Sequence, residues 1–230
     1  MSETTEKTIL DFANSTKILN REPLFTIGHS HHKFKKFLKL LKQHRIEVVA
    51  DVRSCPYSRF EWFSRSALEK ALKEDGIRYV FLGKELGARR EERECYKGIT
   101  ADYDLISLTK AFQNGINRLR TGVKKFRVAL MCSEKEPLDC HRTVLVCRHA
   151  KIFTKEIFHI HADGNLESHS DAEIRMMSRY VPAEGDLFRS PSELLNLAYK
   201  RRSDEINYVE NPESTSVLGS PPKAWATERH

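Results

Sequence analysis

The sequence predicts an α/β fold: a single domain with a mainly parallel central sheet flanked by helices on both faces. Three observations carry that prediction. Short apolar or β-branched runs alternate with segments of helical periodicity, the order that builds parallel sheets. Each run stops at a glycine or at a polar cluster. The length of 230 residues and the 40% hydrophobic content are enough for one core plus tails.

Taken in order, Leu24-Phe25-Thr26-Ile27 is a short apolar strand that turns at Gly28-His29-Ser30. Residues 34–41 set Phe34, Phe37, Leu38 and Leu41 at helical spacing, with lysines opposite. The β-branched run over residues 46–52 suits a central strand. A helix over residues 64–73 places Leu68 and Leu72 one turn apart and stops at Gly76. Residues 79–82 form the next strand, closed by Gly83. A charged loop over residues 84–97 leads to a long helix over 103–119, which stops near Gly122. Residues 126–131 are a strand, 141–150 a helix, and 156–160 a last strand ended by Asp163-Gly164. The expected organisation is a flexible segment over residues 1–22, the α/β domain over 23–182 and a helical extension over 183–206, with a short helix at 189–199. A disordered tail is expected over 207–230.

Composition narrows the function classes. No apolar run approaches the about 18 residues needed to span a bilayer, and the first 17 residues are polar and mixed in charge, so the expected compartment is the cytoplasm with no membrane partner. Five cysteines (Cys55, Cys95, Cys132, Cys140 and Cys147) are an odd set, which suggests free thiols, a metal site or catalysis rather than a disulfide frame. A net charge of +7 favours anionic partners, a small molecule or a nucleic acid. Basic residues gather at residues 31–36, 89–90, 124–127 and 200–202, for which solvated helix faces and loop charges are the preferred reading. There is no Walker A motif and no Gly-x-Gly-x-x-Gly, so a nucleotide cofactor held by a glycine-rich loop is not expected.

The right-handed crossover rule brings the loops that follow parallel strands to one edge of the sheet, where open α/β sheets bind ligands. Four such loops are rich in reactive groups. The first is Gly28-His29-Ser30, with a titratable ring and a hydroxyl. The second, Asp51 to Arg59, offers Arg53, Ser58 and Arg59 for an anion; an Asp51–Arg53 pair that merely fixes the loop is the alternative. Gly83-Lys84 is the third. The fourth, Cys132 to Arg142, contains Glu134, Glu136, Cys140 and His141. Cys140, near Arg142 and at the start of a helix, is a candidate nucleophile because both neighbours favour a thiolate. Cys132 continues the apolar run and reads as either site wall or core. Two cysteines and a histidine can also bind zinc, although Cys-x7-Cys-His is not a usual structural-zinc spacing; no cofactor is predicted from the spacing itself. Glu134, nearest the strand end, is the preferred general acid or base over Glu136.

These residues also carry a resemblance. Thr26-Ile27-Gly28-His29-Ser30, Asp51-Val52-Arg53-Ser54, Pro56-x-Ser58-Arg59, Leu82-Gly83 with Leu86-Gly87, Met131-Cys132-x-Glu134 and Cys140-His141-Arg142 occur in that order. The chain resembles the domain of unknown function 488 family over about residues 25–164, with Ala88 departing from the expected second glycine. The resemblance implies no particular reaction. A weaker likeness, to rhodanese-like and cysteine-phosphatase domains, rests on the Asp-x-Arg strand end and a later strand ending in cysteine; the ten-residue step from Cys132 to Arg142 is longer than the loop of those enzymes.

The expectation is therefore an enzyme with a phosphate-type anion pocket at the carboxyl edge, dependent on cysteine and histidine and acting on a nucleotide, a nucleic acid or another anion. Cys140, His141, Glu134 and His29 are its candidate catalytic residues. Arg53, Arg142, Ser30, Asp51, Ser58, Arg59 and Cys132 are its candidate substrate-binding residues. The alternative is a binding module for nucleic acid or protein that performs no chemistry.

Overall fold

A computed structural model describes residues 23–210 apart from 30, 31, 59, 155 and 182–187. Strand β1 (Leu24–Gly28) is followed by helix α1 (Phe34–Gln43), β2 (Val48–Asp51), a 3-10 turn (Glu61–Phe63), α2 (Arg65–Glu74) and β3 (Arg78–Phe81). A one-turn helix, α3 (Gly83–Leu86), leads to a small hairpin of β4 (Tyr96–Lys97) and β5 (Thr100–Ala101). Then come α4 (Tyr103–Leu108), α5 (Lys110–Val123), β6 (Val128–Cys132) and α6, whose turns are π-type over Arg142–Cys147 and α-type over Arg148–Ala150. The chain continues through β7 (Ile157–Ile160), β8 (Leu166–Ser168), α7 (His169–Tyr180) and α8 (Pro191–Ile206).

The main sheet has the order β3-β2-β6-β1-β7-β8 and is parallel throughout except for β8, which pairs antiparallel with β7. Side chains alternate between its two faces. Phe25, Ile27, Val49, Ala129 and Met131 pack with Phe37, Leu40 and Leu41 of α1 and Leu68 and Leu72 of α2. On the other face Leu24, Val48, Ala50, Val128 and Leu130 meet Phe112 and Leu119 of α5, Val144 and Leu145 of α6, Met176 of α7 and Tyr199 of α8. Burying each such side chain stabilises the fold by about 1.5–3 kcal/mol relative to leaving it exposed.

Connectivity locates the crevice. From β1 the chain crosses β6 to reach β2, whereas from β6 it crosses β1 to reach β7. The carboxyl ends of the adjacent strands β1 and β6 therefore flank the topological switch point, the usual ligand position in an open parallel sheet.

Four departures from the expected elements have local causes. The helix expected over 103–119 breaks at Thr109, whose backbone is extended and whose hydroxyl accepts the Phe112 amide and starts α5 anew. Strand β8 and helix α7 follow the strand expected to be last; α7 is opened by Ser168, whose hydroxyl takes the Asp171 amide. Helix α8 starts at Pro191 under a Ser190–Glu193 capping box and runs through Ile206, longer than the helix expected at 189–199. Residues 207–210 belong to the fold, since Ala101 donates to the Tyr208 carbonyl and Glu210 to that of Ile99. Residues 1–22 and 211–230 lie outside the described residues. Among the described residues no helix is long and apolar enough to cross a membrane.

Candidate functional site

Glycines allow the strand-end loops to close on one another. A Cβ on Gly28 would lie 1.9 Å from the Glu134 carbonyl oxygen, and one on Gly83 would lie 1.9 Å from that of Arg53. Only hydrogen side chains let these backbones approach so closely. The β6 loop is further tied to β1 by the His29 amide, which donates to the Cys132 carbonyl at 2.9 Å.

Four reactive side chains then converge. Cys132 ends β6 and is 3% exposed; Cys140 and His141 stand at the opening of α6, with Cys140 2% exposed. His141 Nδ1 lies 3.7 Å from Cys132 Sγ and 3.9 Å from Cys140 Sγ. The sulfurs and this nitrogen all fall within 4.8 Å of one another, a group that can hold a metal ion. Glu134 Oε2 lies 3.1 Å from Cys132 Sγ and 3.4 Å from Cys140 Sγ, within reach of either thiol proton, while Glu134 itself is exposed. On its far side His141 Nε2 lies 2.9 Å from the Val52 carbonyl oxygen. A carbonyl only accepts, so the ring proton sits on Nε2 and the Nδ1 lone pair faces the sulfurs.

The charges follow from this packing. Burial by itself would raise the Cys140 thiol, but the hydrogen bond from Cys132, the Arg142 cation and His141 outweigh it and hold Cys140 well below the ordinary thiol range. Cys132 is pushed up by that same hydrogen bond and by its burial. Of the two sulfurs, Cys140 is thus the one whose surroundings favour a thiolate. Although the residue as a whole is exposed, the Glu134 carboxyl end leans onto the sulfurs and is raised by that local desolvation and by the Cys140 charge; His141 is raised too, because its contact with Cys140 overcomes its own burial.

Beneath this group lies Arg142, 0% exposed. Its Nη1 donates to the Glu134 carbonyl at 2.7 Å, Nη2 to that of Lys135 at 3.4 Å, and Nε to Thr26 Oγ1 at 3.4 Å. It holds the β6 loop by its backbone and makes no ion pair with a carboxylate among the described residues. A fully desolvated guanidinium in that position favours negative charge on the adjacent sulfurs.

A second polar group sits one strand over. Asp51, fully buried, accepts from Arg53 Nε at 2.9 Å, Arg53 Nη2 at 2.6 Å, the Arg53 amide at 3.0 Å and Tyr79 OH at 2.8 Å. Arg53 Nη1 donates to His29 Nε2 at 3.2 Å, and the His29 ring stacks on Phe63 with centroids 4.3 Å apart. Arg53 is thus held in the loop-fixing pair with Asp51. Ser58 is likewise engaged locally, its hydroxyl accepting the Phe60 amide at 3.1 Å. Ser30 and Arg59 lie outside the described residues. The structure therefore gathers Cys132, Glu134, Cys140 and His141 over Arg142 in one group, and Asp51, Arg53 and His29 in another.

Sequence reasoning passed over Thr26, Tyr79 and Phe63. Thr26 did carry a signal, as the one polar residue in an apolar strand. Tyr79 and Phe63 carried none without the β2–β3 register and the path of the 3-10 turn.

A protein-family model described as Domain of unknown function DUF488 matches residues 33–148. No curated protein and no solved structure matches the chain.

Proposed function

Since the chain belongs to the DUF488 family, a family defined by sequence and not by a known reaction, we propose its function from the site: an enzyme that performs hydrolytic chemistry on an anionic substrate at the carboxyl edge, with Glu134 as the proton carrier. The observation that carries this reading is the position of Glu134. An exposed carboxylate reaches over two buried sulfurs and an oriented imidazole, at the switch point between β1 and β6. A proton carrier needs solvent on one side and the reacting centre on the other, and Glu134 has both.

The preference for an anion comes from the surroundings rather than from Arg53 or Arg142, whose donors are spent inside the fold. His32, Lys36 on α1 and Lys135 beside Glu134 are close enough that, after burial, the two lysines further depress the proton affinity of His32. Two cations, one on α1 and one on the β6 loop, thus lie near the same ring, and they attract negative charge.

The test is a turnover panel of phosphate monoesters, phosphodiesters, nucleotides and nucleosides. The intact protein is expected to convert at least one class, and Glu134→Gln to lower that rate by about 10²–10⁴-fold with an unchanged urea midpoint. Full activity in the variant overturns the assignment. No turnover of any class, together with binding to duplex DNA that weakens steeply with salt, replaces it with the binding-module reading.

A further inference from the structure

We propose that Cys132, Cys140 and His141 are the three protein ligands of a zinc ion whose fourth coordination position opens beside Glu134. Three independent features support this.

The first is distance. Tetrahedral zinc, with Zn–S of about 2.3 Å and Zn–N of about 2.0–2.1 Å, requires sulfur and nitrogen to stand about 3.6 Å apart. His141 Nδ1 stands 3.7 Å and 3.9 Å from the two sulfurs. Both separations are within a few tenths of an ångström of that value, and all three donor atoms lie within 4.8 Å of one another.

The second is orientation. Zinc-bound histidines commonly donate their other ring N–H to a fixed acceptor, which selects the tautomer and aims the lone pair. The Val52 carbonyl does this for His141 at 2.9 Å. A disulfide between Cys132 and Cys140 would leave an aimed imidazole with nothing to meet.

The third is charge. Two thiolates and a neutral imidazole neutralise a divalent cation, while the buried Arg142, without a carboxylate partner among the described residues, balances Glu134 at the site's edge. Soft sulfur donors with one imidazole favour zinc over magnesium or calcium.

Three protein ligands and one open position are the arrangement of catalytic rather than structural zinc. A Cys2His ion beside a glutamate that is not a ligand is also the donor set of hydrolytic base deaminases. For its catalytic consequence the inference rests on the proposed function: the ion would make a water in the fourth position acidic, and Glu134 would receive the proton that water releases. The metal site itself stands without that step.

Metal analysis and cobalt substitution of the full chain, purified under reductant, test the proposal. About one zinc per chain is expected, held with a Kd in the nanomolar range or tighter. Cobalt should give four-coordinate visible bands and a near-ultraviolet thiolate band. Cys132→Ser and Cys140→Ser should each weaken binding at least ~100-fold, whereas Glu134→Gln should keep the full complement of metal. Stripping the intact protein with a chelator and adding zinc back controls for misfolded variants. A reduced, folded chain that takes up no zinc overturns the proposal, as does a Cys132–Cys140 disulfide in place of metal. A zinc-loaded protein indifferent to Glu134→Gln in turnover sinks the enzyme reading alone.

Discussion

Two polar groups flank Val52 at the same edge of the sheet, and they differ in how their valences are used. In the Asp51 group the charges are matched: two carboxylate oxygens take donors from Arg53 and Tyr79, and Arg53 Nη1 donates to His29. In the Cys132 group two sulfurs, one imidazole lone pair and one carboxylate face one another, and only the thiol protons are left to share among them. The first network is closed and holds the loop. The second is convergent, an arrangement suited to a cation. Reactive residue types in equal density thus have different meanings, decided by whether donors and acceptors cancel.

Breaking the closed group should have the largest effect on stability. Arg53→Ala leaves Asp51 charged in a dry site, and should cost about 3–5 kcal/mol in urea unfolding while zinc per folded chain is unchanged. A variant as stable as the parent would show that Asp51 does not depend on this pair.

The contrast extends to another closed network. Thr26 Oγ1 meets His159 Nδ1 at 2.8 Å, His159 Nε2 meets His169 Nδ1 at 3.1 Å, and His169 Nε2 meets Tyr199 OH at 2.9 Å. Burial holds His159 well below the usual histidine range and brings His169 down to about 4. Both rings are therefore neutral in the fold and take up protons more readily when unfolded. Stability from this source is present above the unfolded value near 6.5 and falls as pH drops toward the folded value. For His169 the loss between about pH 6.5 and pH 4 is of order 3 kcal/mol. Urea titrations across that window should show the decline, and His169→Gln should flatten it.

A third variant acts on the convergent group through backbone alone. Gly28→Ala drives a methyl against the Glu134 carbonyl, so the β6 loop must shift at a cost of about 1–3 kcal/mol. Zinc affinity should fall with no ligand changed; retention of both stability and affinity would mean that the loop gives way freely. The smallest effect belongs to a ligand itself. In the metal-free protein Cys140→Ser should change stability by about 1 kcal/mol or less, because a hydroxyl can keep the local hydrogen bonds. A much larger loss would class that sulfur with the closed group.

Much of the fold was legible because periodicity is local. Phe34, Phe37 and Leu41 on one side of α1, and the β-branched run entering β2, declare their burial within a few residues. Helix α7 was less visible, as its buried face includes His169 and Glu173, polar residues whose partners lie on α8 and near the end of α6. The break at Thr109 depended on a single hydroxyl.

By itself the sequence determined the parallel α/β order, the edge on which the strand-end loops meet, and the residue types carried there. Tertiary structure alone decided which of those residues face one another. Cys132 and Cys140 are separated by seven residues, a spacing that announces no metal, yet the β6 loop folds back over Gly28 and the Val52 carbonyl turns the His141 ring toward both sulfurs. The reason is physical. A site of this kind is made from distances and lone-pair directions set by backbone atoms of three different strands, and no stretch of sequence contains that information.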